Sequence, residues 1–181
     1  MVDMLDDVSR ETRRQLELLV ETLERWQKAI NLVGKTTLES VWKRHIVDSA
    51  QVVPLIPAQA RTLADLGSGG GFPGLVIAAM RPDLDITMIE SDARKAAFLG
   101  EASRKMGLAK PPKLVIKRIE VAPPAHAEVV TARALAPLTQ LLEWSDRHRM
   151  DTAICLFHKG KGWQAEVDEA KKKWDFSPEA F

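Results

Sequence analysis

Cysteine is nearly absent from this sequence: Cys155 is the only one in 181 residues. A single thiol excludes a disulfide framework and a cysteine metal cluster. Cys155 lies in Thr152-Ala153-Ile154-Cys155-Leu156-Phe157, which reads as a strand, so a buried, inert thiol is expected. No run of 18 apolar residues occurs, which excludes a transmembrane helix. The opening Met-Val-Asp-Met-Leu-Asp-Asp lacks the basic start and apolar centre of a signal peptide. A cytoplasmic monomer without membrane contact is expected. An excess of one charge is also missing. The formal net charge is +1, so any RNA site must be a local patch. No internal repeat or low-complexity stretch appears, and Pro111-Pro112 and Pro123-Pro124 mark loops only. What remains is a chain 45% apolar, enough for one cored domain with an N-terminal extension.

The informative stretch is Ala64–Gly74, Ala-Asp-Leu-Gly-Ser-Gly-Gly-Gly-Phe-Pro-Gly. Arg61–Leu66 before it reads as a strand, and Leu75–Met80 after it as a buried helix. Strand, glycine turn and helix in that order build the nucleotide crevice of an open parallel sheet. Glycines let the backbone turn tightly and approach a ligand where a Cβ would clash. The dinucleotide fingerprint Gly-x-Gly-x-x-Gly is incomplete, because Phe72 stands at its last position. Gly67-x-Gly69-x-Gly71 instead resembles the first motif of Rossmann-like S-adenosylmethionine (SAM) methyltransferases. Asp85–Glu90 reads as the second strand, and Glu90 at its carboxyl end stands at the spacing of a ribose-binding carboxylate. A carboxylate there can accept from both ribose hydroxyls. The plainer reading makes Glu90 a capping or solvated acid.

Leu16, Leu19, Val20, Leu23, Trp26 and Ile30 share one helical face, which predicts a helix over 10–30 that breaks at Gly34. Thr36-Thr37-Leu38-Glu39 is a capping-box pattern that would start a helix through Val41 and Trp42. Helical character is expected again over 46–53, ended by Pro54 and Pro57. Residues 1–58 therefore form a helical cap and 59–181 the sheet domain. Strands are expected at 61–66, 85–90, 113–116, 127–132 and 152–157, and helices at 73–81, 93–106, 137–149 and 163–174. Asp92 is an N-cap, Gly107 a helix stop, and Pro73 and Pro137 suit first helical positions. Alternating β and α elements predict an α/β fold, a parallel sheet with helices on both faces.

Further residues complete a pattern: Asn31-Leu32, Arg44-His45-Ile46-Val47-Asp48-Ser49, Asp65–Gly74, Ile89-Glu90-Ser91, Lys95 with Phe98-Leu99, Arg118-Ile119-Glu120, Thr131-Ala132-Arg133-Ala134 and His158-Lys159-Gly160. From about Trp26 to Lys161 the sequence resembles the bacterial RsmG family, formerly glucose-inhibited division protein B. That resemblance implies a Rossmann-like methyltransferase fold and methyl transfer from SAM to N7 of one guanine in 16S rRNA of the small ribosomal subunit. It implies that Gly67 and Phe72 line the SAM pocket, that Ile119 and Glu120 flank the adenine, and that Arg133 lies where cofactor and substrate meet. Family members usually add two strands after the Lys-Gly loop. Trp174–Phe181 could begin at most one, so an exposed sheet edge is expected.

The candidate cofactor set is Asp65, Gly67, Gly69, Gly71, Phe72, Glu90, Ser91, Ile119, Glu120 and Arg133, with no metal. Arg133 follows the fourth strand at the ligand-binding edge and is the positioning candidate, although a surface ion pair is the plainer reading. Lys43, Arg44, Lys117, Arg118, Lys159 and Lys161 are candidate phosphate contacts. His45 and Asp48, three residues apart, could share a helix face. They serve either as a local pair fixing the cap or as RNA contacts. The segment Thr131–Ala134 has no Asp/Asn-Pro-Pro-aromatic motif for gripping an exocyclic amine, and Cys155 stands in no nucleophile motif. A ring nitrogen needs neither. The rival readings are a small-molecule methyltransferase and a non-catalytic RNA-binding or ribosome-assembly factor.

Overall fold

A computed structural model describes residue 5 and residues 8–34 and 40–181. The capping-box pattern at 36–39 lies outside the described residues. Helix α1 spans Arg10–Gln27, starting at Ser9, whose hydroxyl accepts the Thr12 amide at 3.0 Å. It ends three residues before the apolar periodicity does. The Gln27 side chain takes the amides of Leu32 and Val33 and donates to the Val33 carbonyl, tying down the turn that follows. A π-helical segment, Trp42–Val47, then runs into the short helix α2, Asp48–Ala50. Pro54 does not end this arm, because it sits inside a 3₁₀ turn, Val53–Leu55. The chain turns extended at Ile56, the residue before Pro57, where the proline ring disfavours helix.

The strands are β1 (Thr62–Leu66), β2 (Asp85–Ile89), β3 (Lys113–Val115), β4 (Ala127–Arg133) and β5 (Arg149–His158). The helices between and after them are α3 (Gly74–Met80), α4 (Ala93–Met106), α5 (Leu138–His148) and α6 (Trp163–Ala170). Asp92 caps α4 by accepting two amides, and Gly107 stops it at φ +64°. Pro73 and Pro137 stand one residue before their helices, as caps. Helix α6 is shorter than its apolar pattern predicts, and 175–181 form no strand.

All five strands are parallel, in the order β3-β2-β1-β4-β5. Alternation along each strand divides the core. Leu63, Ile86, Met88 and Val129 face α3 and α4, and α1 and the arm pack into that same apolar cluster. Ala64, Leu66, Ile89, Val130 and Ala132 face the other way, toward Leu141 of α5. The order in which strands are added reverses at the β1–β4 pair, and the crevice at such a switch point is where open α/β sheets bind ligands. The register aligns Leu66 with Ile89 and Ala132, and Arg133 with His158. Gly67, Glu90, Arg133 and His158 therefore emerge along one edge.

Candidate active site

The loop after β1 rims a cleft of about 370 Å³ at that edge. Gly67, Gly69 and Gly71 have φ of +63°, +50° and +85°, a region where side chains are strained. The three serve different ends. A Cβ on Gly67 would collide with Leu135, and one on Gly71 would come within 2.6 Å of Leu75 Cδ1. A Cβ on Gly69 would meet only the Gly67 carbonyl, at 3.6 Å, because this residue borders the cleft. Gly71 is thus a packing glycine and does not line the cleft.

Glu90 is buried and holds the loop in place. Its Oε2 accepts the Gly69 amide at 2.9 Å, and its Oε1 accepts the Asp92 amide at 2.8 Å. Each carboxylate oxygen has a second lone pair, so both can still receive hydroxyl donors from the cleft. Ser91, Ile119, Glu120, Lys95, Lys117, Arg118 and Trp144 continue the wall.

Asp65 lies elsewhere. Strand alternation places it on the face opposite Ala64 and Leu66, 1% exposed, with Oδ1 accepting the Thr131 hydroxyl at 2.8 Å. Burial pushes its carboxyl up to about 6. It supports the loop from beneath and does not line the cleft, contrary to the sequence expectation. Strand parity already carried that signal.

Arg133 gathers residues that sequence reasoning left apart. Its Nη1 donates to Asp48 Oδ2 at 3.1 Å and to the Arg44 carbonyl at 3.2 Å. Its Nη2 donates to His45 Nδ1 at 2.7 Å. An arginine has no acceptor to offer, so Nδ1 must be the unprotonated nitrogen. Burial, with Arg133 adding to it, pulls the His45 pKa down to about 4, so the ring is neutral near pH 7. The His45 ring stacks on Phe72 at 5.1 Å, and the Arg133 guanidinium stands 5.0 Å from the same ring. Phe72 and Arg133 both line the cleft, so the helical arm is bonded directly to the cleft's floor. His45 and Asp48 thus both bond to Arg133 of β4 and clamp the arm to the sheet.

The basic candidates separate in the same way. Lys43, Arg44, Lys117, Arg118 and Lys161 are exposed. Lys159 is not free: its ammonium meets Glu166 Oε2 at 2.6 Å and donates to the Ala136 carbonyl at 3.0 Å. Sequence reasoning missed Leu135, Trp144 and Glu166, since single apolar or acidic residues on helices and loops read as core or solvent.

A family model described as rRNA small subunit methyltransferase G matches residues 12–180. The chain belongs to that family. A member from Paramagnetospirillum magneticum, named ribosomal RNA small subunit methyltransferase G, is 49% identical over 170 residues, 94% of this chain and 82% of the relative. One of the same name from a Ruegeria species is 44% identical over 174 residues, covering 94% and 83%. Solved structures share the fold at low identity. A SAM-dependent O-methyltransferase from Thermotoga maritima has a TM-score of 0.60 at 14% identity, covering 86% of this chain and 54% of that one. A ribosomal protein L11 methylase from Lactobacillus delbrueckii has 0.59 at 14%, covering 72% and 67%. The family and the fold are thus the ones expected, a Rossmann-like methyltransferase architecture with an N-terminal helical arm.

Proposed function

We propose that this protein binds SAM in the cleft of the Gly67 loop and methylates N7 of a guanine in 16S rRNA, acting in the cytoplasm as a monomer. The observation that carries the reading is the glycine loop held by Glu90 at the sheet's switch point, in a chain of this family. The residues fit the cofactor. Gly69 leaves space where a Cβ would stand, Glu90 keeps lone pairs for ribose hydroxyls, and Ile119 and Trp144 offer apolar surface for a base. When bound, SAM supplies a methyl group on a sulfonium.

This chain's contribution is position. N7 carries a lone pair and no proton, so no general base is required, and holding the reactants in line supplies the rate. Arg133 fixes the floor of the cleft through Phe72 and holds the arm that carries Lys43 and Arg44. Lys43, Arg44, Lys117, Arg118 and Lys161 are the phosphate contacts that would set the RNA on this edge.

Incubation of the protein with labelled SAM and small ribosomal subunits, followed by mapping of the modified nucleotide, tests the reading. Label at a guanine N7 is expected. Label on small molecules only would favour a small-molecule methyltransferase, and RNA binding without transfer a non-catalytic factor.

A further inference from the structure

A second cavity, 310 Å³, adjoins the cofactor cleft, and Ala134 and Leu135 line both. Pro137 and Leu141 give it apolar surface, and its charged wall is the Lys159–Glu166 pair. The pair is mostly shielded, with side chains 18% and 33% exposed. Glu166 Oε2 takes both the Lys159 ammonium and the Leu138 amide, the latter at 2.7 Å. Glu166 Oε1 has no hydrogen-bond partner among the described residues. An ammonium has three N–H donors, and Lys159 uses two, on Glu166 and on the Ala136 carbonyl. The wall therefore presents one open donor beside one open acceptor.

We propose that this cavity receives the target guanine, with Lys159 donating to O6 and Glu166 Oε1 accepting from N1–H. The proposal rests on the methyl-transfer reading above. Guanine carries O6 and N1–H side by side, the complement of an open donor next to an open acceptor. Adenine carries an amino donor and an N1 acceptor in those places, so donor would face donor and acceptor would face acceptor. Recognition by matched bonds and rejection by mismatched ones then act together. N7 lies on the far flank of O6 from N1. It stays clear of both side chains, as a nitrogen that accepts a methyl group must.

A merely structural Glu166 would cap α5 through the Leu138 amide and nothing more. The test therefore reads base preference as well as rate. The protein saturated with S-adenosylhomocysteine is titrated with GMP, IMP and AMP, followed by saturation-transfer NMR. GMP and IMP, which share O6 and N1–H, should bind at least about tenfold more tightly than AMP. Glu166→Gln keeps an oxygen for the Leu138 amide but offers an amide group to the base. It should lose the preference and slow single-turnover methylation of small subunits about tenfold, with SAM affinity within about twofold of wild type. If its melting temperature collapses, Lys159→Met, which removes the donor to O6, gives the same readout from the other side of the pair. Equal binding of GMP and AMP by the wild-type protein, or of neither, overturns the proposal. So does an unchanged preference in the variants. Failure of the underlying reading looks different: the wild-type protein would transfer no methyl group to subunits at all.

Discussion

Glu90 accepts the amide of Gly69 at 2.9 Å, so the acid at the end of β2 builds the loop at the end of β1. Scaffold and ligand contact are not alternatives for this carboxylate. An anion that holds a backbone N–H in a glycine loop also leaves lone pairs directed away from that bond. The same economy recurs at Arg133, which joins the helical arm to the sheet and lines the cleft with one planar group.

Substitution of Glu90 should therefore lower both cofactor affinity and stability. Gln keeps one oxygen and replaces the other with an amide nitrogen that cannot accept, so it loses one of the two backbone bonds. Charge-assisted bonds of this kind are worth about 1.5–3 kcal/mol. Glu90→Gln should weaken SAM binding about tenfold and Glu90→Ala further, measured by calorimetry, with both melting below wild type. SAM affinity equal to wild type in Glu90→Ala would remove Glu90 from the cofactor site.

The glycines should separate under alanine substitution. Gly69→Ala has room for its methyl group but must adopt φ +50°, a strain of about 1–2 kcal/mol. It should fold and lose SAM affinity, because the methyl group borders the cleft. Gly71→Ala must displace Leu75 in the core and should lose more stability than Gly69→Ala. Thermal melting with and without SAM distinguishes the two, and the opposite order would reverse their assignments.

The strand ends and the glycine loop were legible because their signals are local: apolar runs of strand length, a turn composition, an acid at fixed spacing. Asp65 was legible too, through strand parity, but motif reasoning pointed the other way. The clamp was not legible. His45, Asp48, Phe72 and Arg133 meet across as many as 88 residues of chain, and no local pattern records a bond of that span. The π-helical turn that presents His45 lacks the 3.6-residue period that helix reading depends on. Lys159 shows the same limit in reverse. In sequence it looks like a free cation, and the turn through Gly160–Gly162 that starts α6 brings Glu166 back to it.

RNA binding should weaken steeply with salt, since the net charge is only +1 and the contacts are local. Lys117 and Arg118 line the cleft and are exposed. Replacing both with alanine should lower affinity for small subunits and reduce the slope of log K against log salt by about 1.5. An unchanged slope would place the RNA elsewhere.

Asp65 gives a pH signature. Its folded pKa, raised to about 6 by burial, exceeds the ordinary 3.8, so the folded state binds this proton more tightly than the unfolded state does. The associated stability is present below about 4 and is lost as pH rises through about 6, at most about 1.4 kcal/mol per unit. Asn keeps an oxygen for the Thr131 hydroxyl and does not titrate. The stability of Asp65→Asn relative to wild type should therefore rise between pH 4.5 and pH 8 in chemical denaturation. Its SAM affinity should stay near wild type. A large loss of affinity would return Asp65 to the cofactor site.

Arg133 provides the sharpest test of a positional mechanism. An arginine bonded directly to N7 would block methylation, so in the reactive pose its fork must serve other partners. It has them in Asp48, His45 and the Arg44 carbonyl, with Phe72 beneath the guanidinium. Arg133→Ala would release the arm and the Phe72 ring together. A misplacement of about 1 Å costs on the order of a hundredfold in rate, and a drop of that size is expected. Lysine can reach one partner but lacks the planar fork, so Arg133→Lys should also be slow. Because Arg133 moves no proton, the shape of the pH–rate profile should be the same in wild type and variants between pH 8 and 9. In the wild type burial and the neighbouring arginine hold the His45 pKa near 4; removing Arg133 lifts one of those causes, so the comparison is made above the ordinary imidazole range. Single-turnover methylation of small subunits across this range is the measurement. A wild-type rate in Arg133→Ala would separate the clamp from catalysis, and a new ionisation in that variant's profile would reveal acid–base chemistry that a ring-nitrogen acceptor does not need.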